Sequence, residues 1–239
     1  MHLGYDMAAY MGIRALRELE VVSHNLANAS TPGFKRELLN LWRLRNLEIP
    51  GEDRPAYLDV LSRDFRQGAL QTTENETDLA LEGRGFFKVE APQGLRYTRN
   101  GCFHLTPDRR LVTAQGYSVL GKNGPITLDA IDQKFAVDEQ GGIHLDNSLA
   151  DRLAVVDFAH PQDLRPVGQN YFVPGPDAGE ELEARDTRVL QGMVEASNVD
   201  PVAAAVSLIT IQRSFESYLQ VLDTFAASDR KVVEDLGHV

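Results

Sequence analysis

The C-terminal end of this chain carries an apolar pattern that few folds can use. Ala204, Leu208, Ile211, Phe215, Tyr218, Leu222, Phe225, Asp229, Val232 and Leu236 follow alternating steps of three and four, and only Asp229 spoils the series. Such spacing keeps one side of an α-helix apolar. Asn198 or Asp200 is placed to cap the helix, and Pro201 suits its first turn. A helix over 201–236 would be about 54 Å long at 1.5 Å per residue. That is too long to lie across one small globular domain, and a sustained seven-residue repeat argues for a coiled-coil partner.

A candidate partner stands at the other end. Tyr5, Ala9, Gly12, Leu16, Leu19, Ser23 and Leu26 repeat the same steps, and Ala8, Met11, Ala15 and Val22 form a second line beside them. The small residues Ala8, Ala9, Gly12 and Ala15 would let another helix approach closely. Any single stripe of this kind is most simply a helix covering a core. Two of them at the extreme ends, with everything between them β-like, predict that the ends pair and leave a second face for neighbouring subunits.

The middle reads as short strands with turn punctuation. Strands are expected at Asp78–Leu81, Phe86–Glu90, Leu95–Arg99, Cys102–Thr106, Leu111–Thr113, Tyr117–Leu120, Ile126–Leu128, Phe135–Val137, Ile143–Leu145, Leu153–Phe158, Tyr171–Val173 and Thr187–Met193. Asn100-Gly101 is the strongest two-residue hairpin signal. Pro174–Arg185, rich in Gly, Pro and acid, reads as an exposed loop. Glu37–Leu47 could be helical, and Pro50–Pro55 reads as a connector. The expected fold class is therefore α+β. The N- and C-terminal helices, residues 1–34 with 195–239, pair as a coiled-coil-like α domain. Residues 35–68 connect it to a central all-β antiparallel domain, 69–194, of sandwich or barrel type.

With 239 residues, 43% of them apolar, the chain can bury a substantial core. A formal net charge of −11 opposes binding to nucleic acid or to an anionic membrane surface. The nearest basic stretch, Arg36 to Arg45, holds only Arg36, Arg43 and Arg45 among apolar neighbours. No apolar run approaches the roughly 20 residues of a membrane-spanning helix, and Met1–Ala9 lacks the basic and apolar regions of a secretory signal. Any passage out of the cytoplasm is expected to use a route that reads no cleaved signal.

Signals for chemistry are weak. His2, His24, His104, His144, His160 and His238 are scattered, with no HExxH and no metal-binding pair. A single cysteine, Cys102, rules out an internal disulfide and a cysteine-based zinc site, and beside Phe103 it reads as a packed small side chain. No nucleophile elbow or phosphate loop occurs. Asp138, Glu139 and Gly141 superficially suggest a calcium loop but lack its remaining oxygen ligands, so a β-turn is the better reading. No catalytic residue, cofactor or metal site is expected.

Three motifs carry a resemblance. The first is Asn25–Lys35 (NLANASTPGFK), containing Leu26, Asn28, Thr31, Gly33 and Phe34. It ends a helix and turns the chain. Asn28 suits a left-handed helix stop, Thr31 before proline is driven extended, Pro32-Gly33 fits the centre of a type II turn, and Phe34 can anchor it. The second is Gln67–Val89 (QGALQTTENETDLALEGRGFFKV), containing Gly83 and Gly85, continued by Tyr97–Gly101 (YTRNG). The third is Gln191–Pro201 (QGMVEASNVDP), containing Gly192, Glu195, Ser197 and Asn198, followed by Ile211–Glu216 (IQRSFE). Together, and in this order, they resemble the flagellar hook–basal-body rod family over nearly the whole chain. The resemblance implies a structural subunit without enzymatic activity, exported unfolded by the flagellar type III apparatus. It also implies terminal helices joined in an inner domain around the export channel, a β domain outside them, and assembly with other rod proteins and copies of itself across the periplasm. The helix seam would be Tyr5, Ala9, Gly12, Leu16, Leu19 and Leu26 with Leu208, Ile211, Phe215, Tyr218, Leu222 and Phe225. The chain is short for a hook protein, and the segment between the first two motifs is short for a distal rod protein, so a proximal rod member is expected. Arg110, where the family often has glycine, and Cys102, where it commonly has a polar residue, depart from the pattern. Two rivals, a β-domain binding module or adhesin and an enzyme with an unrecognised site, would both survive deletion of a terminal helix.

Overall fold

The computed structural model describes residues 2–44, 56–128, 135–146 and 148–236. Its two long helices, α1 (His2–Ala27) and α2 (Pro201–Leu236), enclose an antiparallel β-rich region in the sequence, an α+β arrangement. Asp200 caps α2: its Oδ1 accepts the N–H of Val202 at 2.9 Å and of Ala203 at 3.1 Å. Asn198 is thereby left for a different task. The described residues divide into two compact units, one drawing on 2–27, 37–62 and 200–236, the other on 28–36 and 63–199.

In the first unit, the stretch Glu37–Leu47, which could have been helical, begins as a strand, β1 (Glu37–Leu44), paired with β2 (Ala56–Arg63). Residues 45–47 and the expected connector 50–55 lie outside the described residues. Leucines at 38, 39 and 41 suit either element, and Asn25 of α1 favours the strand. Its Nδ2 donates to the carbonyl of Glu37 and its Oδ1 accepts the Glu37 N–H, both at 2.8 Å. Both backbone groups of the first strand residue are thus satisfied by a side chain. Further along α1, Asp59 of β2 receives Arg14 and Arg17 at 3.7 and 3.4 Å.

The second unit begins with β3 (Leu70–Thr72), β4 (Leu79–Glu82), β5 (Phe86–Ala91) and β6 (Gly94–Thr98). It continues through β7 (Phe103–Leu105), β8 (Leu111–Thr113), β9 (Ser118–Gly121) and β10 (Gly124–Pro125), then β11 (Phe135–Val137), β12 (Gly142–Leu145), β13 (Ser148–Arg152) and β14 (Val155–Phe158). After β15 (Leu164–Pro166) and β16 (Tyr171–Pro174) come β17 (Glu181–Glu183), β18 (Arg188–Gln191) and β19 (Met193–Glu195). The main sheet follows the open path β15-β16-β6-β5-β9-β8-β7, with β10 on β9 and β14 between β5 and β17. Three small sheets join β11-β12-β13, β18-β4 and β19-β3. β5 has a core on each face. Phe87 and Val89 face a cluster with Leu79, Leu81, Phe103, Leu111 and Ile143, while Phe86 faces Tyr97, Phe158, Leu164 and Phe172. Two adjacent phenylalanines serve two cores because successive strand residues point to opposite faces.

Three expectations about the chain's turns are corrected. Asn100-Gly101 makes no hairpin: β6 pairs with β5 and β16, β7 with β8, and the two-residue turn is Pro92-Gln93, where Ala91 pairs with Gly94. Gly101 serves a crossing instead, since its carbonyl accepts the Leu79 N–H and a Cβ there would fall 1.6 Å from the Leu79 oxygen. The strand expected over Thr187–Met193 breaks at Gly192 into β18 and β19. Within the expected loop Pro174–Arg185, Ala178 is fully buried and Glu181–Glu183 pair with β14. A small side chain in an acidic stretch can enter a core that its neighbours cannot.

Candidate assembly site

In the helical unit, α1 and α2 pack antiparallel. The ring of Phe225 lies against Gly4, 2.9 Å from where a Cβ would sit, and Gly12 faces Tyr218. Met11, Arg14, Ala15 and Glu18 line a notch of about 210 Å³ with Thr210, Ile211, Ser214 and Tyr218. All six α2 seam positions, Leu208, Ile211, Phe215, Tyr218, Leu222 and Phe225, are half-buried. On α1 the sides are otherwise arranged. Gly12 is buried and Ala9, Leu19 and Leu26 are half-buried, while Tyr5 and Leu16 are nearly half exposed. The second line is enclosed as well, with Ala8 and Ala15 buried. Small residues let the backbones approach, which tyrosine and leucine at the same level would prevent.

Both helices keep apolar side chains outside this packing. At 3.6 residues per turn, Val202, Val206 and Ile209 lie opposite the seam side of α2, and they are 71%, 59% and 54% exposed. No charge occurs between Pro201 and Gln212. On α1, Met7, Tyr10 and Ile13 are likewise exposed, and Asp6 is the sole formal charge between Leu3 and Ile13. A helix that is apolar on more than one side is built to be covered on more than one side.

Asn25, Leu26 and Ile211–Glu216 stay with the helices, and the motif residues from Asn28 to Asn198 lie in the β unit. Gly33 (φ +68°) holds the third position of a turn closed by Phe34 N–H to the Thr31 carbonyl at 3.2 Å, as the type II expectation requires. A Cβ on Gly33 would lie 2.4 Å from the Asn100 nitrogen, so glycine is required twice over. Phe34 is buried. Asn28 corrects its expectation: its φ is not positive, and it holds the turn by accepting the Thr31 N–H on its carbonyl and the Thr31 hydroxyl on Oδ1.

Beyond the turn, Lys35 Nζ donates to Glu195 Oε1 at 2.5 Å and to the Arg66 carbonyl at 2.8 Å. Arg99 Nε donates to Glu195 Oε2 at 2.8 Å, and its remaining nitrogens to the carbonyls of Leu81, Gly83 and Gly85. Glu195 Oε1 also accepts the Gly68 N–H, and the Glu195 carbonyl accepts that of Gly33. All three ions are buried. Burial pushes the Lys35 ammonium below its ordinary value, and Glu195 beside it acts in the opposite sense. Asn198 completes the junction: Oδ1 accepts the Arg36 N–H at 2.8 Å, and Nδ2 donates to the carbonyls of Asp64 and Arg66. Gln191 spans Glu76, Phe135 and Val137, Gly192 accepts from Thr73 and Glu74, and the Ser197 hydroxyl accepts from Val199. Sequence reasoning placed Gly83, Gly85 and Glu195 among the motif residues but missed Lys35 and Arg99. Both stand inside the quoted motifs, but those motifs hold other charged residues as well, and nothing local marks these two as buried.

The arrangement is one of fastening. Burial raises the Cys102 thiol to about 11, so at neutral pH it is a protonated, half-buried group. Asp138 closes its turn by accepting from Gln140, Gly142 and His144. Among the described residues no acidic, histidine or cysteine cluster could hold a metal ion, and no helix is long and apolar enough to cross a membrane.

Three family descriptions match segments of the chain: flagella basal body rod protein over 13–35, flagellar hook protein FlgE/F/G D1 domain over 80–145, and flagellar basal body rod FlgEFG protein C-terminal over 190–234. Lys35, Arg99 and Glu195 each fall in a different one. Among curated relatives, the flagellar basal-body rod protein FlgF of Caulobacter vibrioides is 35% identical across 98% of this chain and 99% of its own length. FlgF of Rhizobium meliloti is 27% identical over 99% of both. FlgG of Agrobacterium fabrum is 33% identical, covering 86% of this chain and 88% of its own. The chain belongs to the flagellar basal-body rod protein family.

Proposed function

We propose that this chain polymerises through its terminal helices into the axial rod, as a proximal rod subunit of the FlgF kind. It is a structural component of the flagellar basal body, assembled with other rod components, and not an enzyme. In the proposed arrangement, residues 1–34 and 195–239 act together as a coiled-coil-like inner domain around the export channel. Residues 69–194 form the β domain, and 35–68 connect the two. The subunit is exported through the flagellar type III apparatus, takes its place across the periplasm, and helps transmit torque. Full-length matching to FlgF relatives supports the subtype.

The observation that carries this reading is the first third of α2: twelve residues without a charge, apolar on the side away from α1 as well as towards it. Burying a large apolar side chain is worth about 1.5–3 kcal/mol, more than the roughly 0.5–1 kcal/mol of rotamer freedom that an aliphatic side chain loses on burial, so a few such contacts favour association. Ile209→Asp puts a charge on that stripe without touching the α1-facing side. Expressed in a strain lacking its own copy, it is expected to abolish motility and incorporation into isolated basal bodies. Normal swimming by this variant would remove the helices from the account of assembly.

A further inference from the structure

We infer that residues 188–198 are the closing segment of the β unit: any N-terminal length of chain that lacks them leaves that unit open, so it folds only when the chain is nearly complete. This order of folding belongs to the β unit alone and is independent of how the helices assemble.

Strand pairing points to it first. Among the described residues, β3 pairs only with β19 and β4 only with β18. Leu70 is the register partner of Glu195, Leu79 that of Gln191, and Leu81 that of Val189. Two strands made early therefore find their ladders only at the end of the unit. β4 is not a tolerable edge without its ladder, because Leu79, Ala80 and Leu81 are all fully buried. Their backbone groups would lie in a core without partners.

The turns and connections depend on the same segment. The Gly33 N–H donates to the Glu195 carbonyl at 2.7 Å, and the Phe34 carbonyl accepts the Asn198 N–H at 3.4 Å. The Ala69 carbonyl accepts the Ala196 N–H, the Asp78 carbonyl accepts that of Gly192, and the Gly192 carbonyl accepts from Thr73 and Glu74. Stretches around residues 33, 69 and 78, far apart in sequence, thus end on one late piece of chain. Contacts of such long sequence separation are costly to close before most of the chain is in place.

Charge adds the strictest condition. Lys35 and Arg99 are both buried, and Glu195 is the carboxylate that both reach. Asp64 acts on Lys35 more weakly and is itself held by Arg36 and Arg66. Closing the unit before residue 195 arrives would bury two like charges without their counter-ion, a penalty that takes up much of the margin of an ordinary domain. Synthesis runs from the N-terminus, and only residues 200–239 remain once the segment has been made. A domain that follows this order is withheld rather than folded as it emerges.

The competing order is gradual. In it, the main sheet around β5, β6, β8 and β9 folds alone and residues 188–198 merely cover it. Native-state hydrogen exchange on the full chain separates the two. Leu111 and Ile126, whose N–H groups donate to the carbonyls of Ile126 and Val119, report on the sheet; Gly192 and Ala196 report on the closing segment. In urea below the unfolding transition, all four are expected to show the same protection to within about threefold, with one common urea dependence. Exchange at Gly192 and Ala196 at least about tenfold faster than at Leu111 and Ile126 would show the segment leaving a folded sheet, and would overturn the inference. Chain lengths give the direct reading. A chain ended at Thr187 is expected to be digested by protease as fast as a urea-unfolded one, and a chain ended at Val199 to keep the β unit's resistance. Resistance of the shorter chain would overturn the inference, and so would rapid digestion of both, because residues 188–198 would then not be what completes the unit. Neither measurement reads assembly, so Ile209→Asp reports on the helices whatever the result here.

Discussion

The β unit and the helix pair satisfy their side chains in opposite ways. In the β unit even the ions are enclosed and partnered: Glu195 meets Lys35 and Arg99, and the spare donors of both cations end on backbone carbonyls. In the helix pair the seam side of α2 is only half-buried, and valines and isoleucines of the opposite side stand in water. The first region is complete within one chain. The second is not, and its deficit is apolar, which copies or relatives of the same molecule can make good without matching charges. A subunit divided in this way can keep one part folded while another waits for neighbours.

The sharpest way to break this contrast is to unbalance the ion cluster. Glu195→Ala leaves two buried cations with no carboxylate, and removal of one partner from such a group costs about 3–5 kcal/mol. The expected result is a large fall in the denaturant midpoint of the β unit, with its cores untouched in composition. A loss below about 1 kcal/mol would mean that the cluster is open to water, and that the two regions differ less than their burial implies.

Leu222→Asp addresses the other side. Leu222 is half-buried on the seam side of α2, so a carboxylate there is expected to cost the helix pair about 2 kcal/mol and the β unit nothing. Hydrogen exchange on the monomer separates the two. Amides over 5–26 and 204–225 should exchange well before those of β5 and β6 in the parent, and faster still in the variant. Equal protection of helices and strands in the parent would show that the helix pair needs no neighbour to be stable.

How far these regions could be read from sequence differs for the same reason. The span of α2 follows from periodicity, an acid that can cap and a proline, all local signals. The Thr31–Phe34 turn is equally local. Asn100-Gly101 misled because its glycine answers a long-range demand, room for the Leu79 carbonyl, that has the same appearance as a hairpin signal. The buried cluster was illegible because lysine, arginine and glutamate give no local mark of burial; only the meeting of residues 35, 99 and 195 reveals it. On α1 both apolar lines were visible, but which one turns inward depends on the size of what α2 brings to it. Strand β1 escaped because its leucines suit helix or strand, and the Asn25 side chain that secures its first residue lies twelve positions away.

The smallest expected effect is a pH slope, and it sharpens the claim that the β unit's ions are enclosed. Burial holds the folded Lys35 value below the 10.5 of an unfolded lysine. Between the two values the unfolded chain keeps a proton that the folded chain has released, so unfolding takes up a proton and the stability contributed by this group rises with pH. The physical reason is that neutral Lys35 leaves Glu195 and Arg99 paired one to one. Tyr97 acts in the other direction, because burial and Glu181 raise its phenol far above 10, but only as pH passes the ordinary tyrosine value. Urea titrations below about pH 10 should therefore show a positive alkaline contribution in the parent that is absent from Lys35→Met. That variant should also lose less stability at neutral pH than Glu195→Ala, since it removes the excess cation and keeps the ion pair. Identical slopes in parent and variant would show that the Lys35 ammonium is solvated in the folded state, and the enclosed cluster would then be no different in kind from the half-covered helices.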